Sequence, residues 1–190
     1  MKSNLSVKHR LKAGHYEVIG ETLAKYEFFE AGWNPYERFL DVDKTDFILR
    51  KRTDEKIVYR EIQVKYGKLY DVGSKWEKSL FSITSWRFFN PNEFAELRDR
   101  TDFYIAYILA HDDGYEKDTF IFSAAEFHDL LHAAIPSKEK VKVYLSCDKA
   151  ESKKDRRWYL RRKAGKMDEI SEDNCLEVTK HYRSFHKLED

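Results

Sequence analysis

The run Glu61-Ile62-Gln63-Val64-Lys65 alternates polar and apolar side chains, which is the two-residue period of a β-strand. Ile62 and Val64 fall on one face, and Glu61, Gln63 and Lys65 on the other. A lysine placed beside an amide and a carboxylate inside a packed sheet carries a desolvation cost, which is tolerable where a metal ion or an anionic substrate supplies partners. Upstream, Asp46 opens the short apolar run Phe47-Ile48-Leu49, and the polar turn Thr53-Asp54-Glu55-Lys56 leads into Ile57 to Lys65. The two runs read as a hairpin that brings Asp46 near Gln63 and Lys65.

Working outward, Ile19, Leu23, Tyr26 and Phe29 recur at helical spacing between Gly14 and Gly32. Gly32 is suited to end that helix in a left-handed cap. Glu17 and Glu21 lie four apart, on one side of it. Trp33 to Phe39 reads as a strand. The pattern is weak after Gly67, until Asn90-Pro91-Asn92-Glu93 offers a capping residue, a first-turn proline and an early acid to a short helix. Phe103 to Ala110 is a nearly continuous apolar run of the central-strand kind. Asp113-Gly114 turns the chain toward Thr119 to Phe122. Ser123 and Glu126 form a capping box for a helix carrying Phe127, Leu130 and Leu131, which Pro136 closes. Val141 to Leu145 and Trp158 to Leu160 read as further strands, and a last helix is expected from about Asp173 toward His186.

The chain of 190 residues carries a net charge of only +1, with 15% aromatic residues, so it should form one packed domain over residues 1–190. Such a balance gives no global signal for nucleic acid. The local distribution is uneven, since Lys153, Lys154, Arg156, Arg157, Arg161 and Arg162 crowd one segment with Trp158 and Tyr159 interleaved. That segment reads either as a solvated hairpin or as a phosphate-binding flap. Two cysteines give no disulfide framework, the N-terminus has no apolar leader, and no run approaches a membrane span, which together predict a reducing, cytoplasmic setting. His128 and His132 share a helical flank, but the glutamate of a zinc helix and a third ligand are both missing. Trp76 and Trp86 read as packing or edge residues. Neither a glycine-rich phosphate loop nor a nucleophile elbow is present.

The order helix with Glu21, strand, strand opening at Asp46, strand ending in Gln63-Val64-Lys65, helix, strand from Phe103 resembles the PD-(D/E)XK nuclease superfamily. More narrowly, it is similar to the branch with QxK in place of (D/E)xK. The resemblance covers about residues 14–110, with residues 111–190 as additions. It implies an α/β fold with a restriction-endonuclease-like αβββαβ core, a mixed central sheet flanked by helices. It also implies a Mg²⁺-dependent endonuclease acting on DNA, with Mn²⁺ as a substitute metal, RNA as an alternative substrate and a homodimer where both strands are cut. Asp46, Gln63, the Val64 carbonyl and Glu21 would hold the metal, and Lys65 would position or activate the attacking water. Thr45 stands where the family has proline, and Gln63 removes one negative charge, so Glu61 is a second candidate acid, and Asp41 and Asp43 compete with Asp46. The alternative is a nuclease fold that no longer cleaves and serves as a module binding nucleic acid or protein.

Overall fold

The computed structural model describes residues 3–37, 44–112, 114–134, 140–162 and 165–189. Helix α1 (Ser3–Glu30) is followed by strands β1 (Asn34–Glu37), β2 (Phe47–Arg52) and β3 (Ile57–Asp71), helix α2 (Lys75–Leu80) and strand β4 (Phe81–Phe89). A 3-10 turn over Pro91–Leu97 leads to β5 (Phe103–His111), β6 (Gly114–Ser123), helix α3 (Ala124–Ala134), β7 (Val141–Asp148), β8 (Trp158–Arg161) and β9 (Cys175–Glu177).

These nine strands form one mostly antiparallel sheet in the order β1-β2-β3-β4-β7-β8-β9, with β5 and β6 branching from β3. It is mixed only through β3 and β5, which run parallel from Glu61↔Phe103 to Lys68↔Ala110. The long strand β3 is the junction. It pairs with β2 as far as Ile62, with β5 from Glu61 to Lys68, and with β4 from Leu69 to Asp71. Among the described residues, 63–68 therefore pair with β5 alone, and no strand lies on their other edge.

Strand β5 is buried on both faces, as its continuous apolar run requires. Phe103, Ile105, Tyr107 and Leu109 point into a core with β4, β6, α3, β7 and β8. Tyr104, Ala106 and Ile108 face the other way, onto Ala24 and Phe28 of α1 and Phe47 and Leu49 of β2. Helices thus flank the sheet on both faces.

Helix α1 starts well before Gly14 and buries Gly20, Ala24, Glu27 and Phe28. Tyr26 and Phe29 are exposed, contrary to the expected apolar face. The seam follows the four-residue row 20, 24, 28, and Glu27 is accommodated on it because Arg183 donates to its carboxylate at 2.8 Å. Gly32 ends the helix at φ +81°, with Gly32 N–H donating to the Phe29 carbonyl (3.0 Å) and Trp33 N–H to that of Phe28 (2.9 Å). This is the paired closure of a Schellman cap. The Ser123 and Glu126 capping box also forms, at 3.0 and 3.2 Å.

Other expectations are met in part, lie outside the described residues, or fail. The first strand is Asn34–Glu37, and the rest of that segment, with Asp41 and Asp43, lies outside the described residues, as do Asp113 and Pro136. The region of weak pattern holds α2 and β4. The cap at Asn90 is present, but it opens a 3-10 turn. No helix runs from Asp173 to His186, because Cys175–Glu177 instead pairs with β8, and 3-10 turns follow at Thr179–His181 and Phe185–Leu188. The backbone groups on the edge of β8 are satisfied by that pairing.

Gly67 marks the crossing of β3 toward β4. A Cβ there would lie 2.6 Å from Ser85 Oγ, 2.7 Å from Leu109 Cδ2 and 2.9 Å from Tyr107 Cε2, whereas one on Gly73 would meet nothing within 4 Å. Gly67→Ala is therefore expected to lower unfolding stability by about 1–3 kcal/mol in urea titrations, the usual overpacking cost, with Gly73→Ala close to wild type.

Candidate functional site

Where β2 leaves β3, one cavity of about 410 Å³ opens, lined by Tyr16, Glu17, Glu21, Asp46, the run Gln63 to Lys68, Tyr70, Trp86 and Arg87. The structure thus brings Glu21, Asp46, Gln63, Val64 and Lys65 to one place.

Asp46 is fixed by the backbone of β3. Its N–H donates to the Ile62 carbonyl at 2.8 Å, and two residues further along that edge Val64 N–H donates to Asp46 Oδ2 at 2.5 Å. The carboxylate takes the place of a neighbouring strand. A strand residue sends its N–H and C=O to the same edge, so the Val64 carbonyl also lies on the Asp46 side. Further on, Arg87 Nη1 donates to the Tyr66 carbonyl at 2.8 Å.

Glu21 arrives from the opposite face. Helix α1 sits close on β3 because Gly20 has no side chain, and a Cβ there would be 2.9 Å from that of Tyr66. One turn earlier, Tyr16 stacks on the Tyr66 ring at 5.5 Å and 12°. Partial burial raises the Glu21 pKa, and Asp46 and then Glu17 add to the rise by repulsion. Two carboxylates are therefore held within electrostatic reach of one another, at the mouth of the same cavity.

Lys65 is buried at 8% exposure, with its ammonium 2.6 Å from Glu93 Oε1 and 5.4 Å from the centre of the Phe94 ring. Burial depresses its pKa, while Glu93, and more weakly Asp46, pull it back up. Glu93 is a site-adjacent acid that sequence reasoning took only as a helix-start residue. Gln63 is buried beside them, and its Oε1 meets no hydrogen-bond donor among the described residues. Glu61 goes elsewhere: Thr45 Oγ1 donates to it at 2.7 Å and Arg100 pairs with it at 3.1 Å.

The basic segment is divided. Arg161 is 3% exposed, paired with Glu77 at 3.0 Å and seated 4.2 Å from the Tyr144 ring centre, so it is an interior residue and not a phosphate contact. Arg162 donates to the Ala133 carbonyl at 2.8 Å, and Arg156 lies 4.0 Å from Glu116. Lys154 and Arg157 are exposed, and Lys153 opens the 3-10 turn Lys153–Asp155 between β7 and β8. That hairpin joins β4 at Phe81↔Asp148, five residues along the strand from Trp86 at the cavity, about 17 Å at the usual strand rise. Among the described residues, the cations lining the cavity are instead Lys65, Lys68 and Arg87, with Lys142 against Trp86 at its edge, scattered in sequence and gathered by the sheet.

His128 and His132 have ring centres 4.3 Å apart. Among the described residues no cluster of three or more His, Cys, Asp or Glu is placed to hold a metal, and no helix is long and apolar enough to cross a membrane. Comparison with known proteins brings no relative: no family model, no curated protein and no solved structure matches the chain.

The folded chain keeps the Glu21 proton to higher pH than the unfolded chain does, so its contribution to stability is complete below the ordinary value of 4.5 and is lost as pH rises through the raised value. Glu21→Gln should therefore melt at higher temperature than wild type near neutral pH in chelator, with the gain vanishing in mildly acidic buffer below that ordinary value. A variant that melts lower near neutral pH would mean that Glu21 is held by a favourable partner.

Proposed function

We propose that the chain is a metal-dependent nuclease hydrolysing phosphodiester bonds in DNA, built on a restriction-endonuclease-like core of α1, β1, β2, β3 and β5. On this reading α2 and β4 are an insertion between the third and fourth core strands, and the parallel pairing of β3 with β5 belongs to the core. The observation that carries the proposal is the meeting of Glu21, Asp46, Gln63, Val64 and Lys65 around one open cavity.

The donor set suits a hard divalent cation. Mg²⁺ takes oxygen ligands from a few protein groups and keeps several waters. Asp46, Gln63 through its unpartnered amide oxygen, the Val64 carbonyl and Glu21 would hold it, with Mn²⁺ as a substitute. Such an ion supplies Lewis-acid polarisation of the phosphate and acidifies bound water. The remaining roles fall to the chain itself. Hydrolysis forms a bond from water oxygen to phosphorus and breaks the bond to a sugar oxygen, which leaves protonated by solvent. Burial lowers the Lys65 pKa, and its side chain would position the attacking water, whose proton passes to solvent. In its charged form the same group offsets charge gathering on the phosphate. Arg87, anchored on the Tyr66 carbonyl, adds a cation at the cavity wall.

A second reading has its own observation. The ammonium of Lys65 is already paired with Glu93, and a neutral Gln63 stands where a carboxylate would be, an arrangement that also suits a module binding nucleic acid without cutting it.

The test is nicking of supercoiled plasmid and cleavage of labelled DNA and RNA with Mg²⁺ or Mn²⁺. Wild type is expected to cleave, and Asp46→Asn, which keeps an acceptor for Val64 N–H, and Lys65→Ala to lose roughly a hundredfold or more in rate. Divalent metal should raise the melting temperature of wild type and of Lys65→Ala but not of Asp46→Asn. Metal-dependent cleavage equal in all three proteins would overturn the assignment, and binding of DNA with no cleavage would select the module.

A further inference from the structure

Next to the cavity, the outward face of β3, β4 and β7 carries aromatic rings that the core does not use. Trp86 and Phe88 are 37% and 50% exposed, although the sequence suggests only a packing or edge role for Trp86. Tyr70 and Trp86 lie nearly parallel, 6.2 Å apart at 11°, with Phe88 set edge-on to Trp86 at 6.1 Å. Lys142 Nζ sits 3.8 Å from the centre of the Trp86 ring and 4.9 Å from that of Tyr144. Tyr70 and Trp86 also line the cavity that contains Gln63 and Lys65.

We infer that this shelf binds unpaired bases of a polynucleotide strand whose backbone runs into the cavity, so that the preferred substrate is single-stranded or splayed at the cleavage point. The inference rests on the nuclease reading for what the cavity holds. Exposed aromatic faces interleaved with cations are what a single strand recognises: bases stack on the rings while ammonium and guanidinium groups track the phosphates. Lys142, Arg87 and Lys68 supply that charge. Beside the rings the acids are Asp112, which is paired with Lys68, and the exposed Asp71 at the end of β3, while Glu17, Glu21 and Asp46 belong to the cavity that the backbone would enter. A duplex keeps its base faces stacked inside and cannot use the rings in this way. The shelf is continuous with the cavity, whereas the exposed Lys154 and Arg157 stand at the far end of β4.

Fluorescence anisotropy with labelled oligothymidylate and oligouridylate, and with the matching duplexes, in chelator so that nothing is cut, tests the shelf separately from hydrolysis. Wild type should bind the single strands more tightly than the duplexes and lose affinity with added salt. Trp86→Ala and Phe88→Ala should each weaken single-strand binding by about fivefold to a hundredfold. Trp86→Phe should recover most of the loss, and Phe29→Ala, an exposed aromatic change on α1, should leave binding unchanged. Wild-type binding by a folded Trp86→Ala protein, or duplex binding as tight as single-strand binding, would overturn the shelf. Metal-dependent duplex cleavage indifferent to Trp86→Ala would also remove the shelf while leaving the nuclease standing. Trp86-dependent binding with no cleavage under any metal would remove hydrolysis and keep the shelf.

Discussion

A part-buried backbone N–H that no described strand pairs needs another acceptor, and Val64 N–H finds the Asp46 carboxylate. Much of the cavity's shape follows from that one bond. Strand β3 is shared by β2, β5 and β4, and no neighbour could run the length of its second edge without closing the fork between β2 and β4. The fork is kept open by two side chains doing the work of a strand, Asp46 on the Val64 N–H and Arg87 on the Tyr66 carbonyl. An acid and a base are thereby fixed at the mouth of the cavity by hydrogen bonds to main chain. Their placement costs little side-chain entropy beyond what folding the sheet already requires.

The parts legible in sequence were those with a strong local pattern, even where polarity and burial disagree, as at the buried Gln63 and Lys65. The alternation of Ile57 to Lys65, the glycine cap at Gly32, the box at Ser123 and Glu126, and the apolar run of β5 each carry a local signal that tertiary packing leaves unchanged. Strand β4 was hidden because its polarity is inverted. Thr84 and Ser85 are buried while Trp86 and Phe88 are exposed, and Thr84 is accommodated by a 2.8 Å contact with Ser146 on the neighbouring strand. No period-two pattern survives such an exchange. The tail from Asp173 was misleading for a different reason, since its apolar residues serve an edge strand and two 3-10 turns that no helical spacing describes.

Charge was the least legible property. The run from Lys149 to Lys166 looks like one basic surface in sequence, but Arg161 turns inward because Glu77 and the ring of Tyr144 together satisfy a guanidinium that water would otherwise have to solvate. The cations that border the cavity come from β3, β4 and β7 and are never adjacent in the chain. A clustered charge run is a statement about composition. A clustered field is a statement about topology, and here only the pairing of β4 with β3 and β7 creates it.

The electrostatics of the cavity turn on how its charges are already spent. Glu17, Glu21 and Asp46 face Lys65, Lys68 and Arg87 along the lining, an even balance by count. Lys65 is paired with Glu93 and Lys68 with Asp112, so the acids gain less from them than the count suggests. Glu21 shows the result, since its proton is held more tightly by burial and by Asp46 together. A divalent cation would relieve that repulsion, and an anionic phosphate arriving afterwards would compete with Glu93 for Lys65. On the proposed reading, metal and substrate therefore depend on each other. The acids would be relieved by a cation before an anion approached them, and the lysine would change partner only with that anion present.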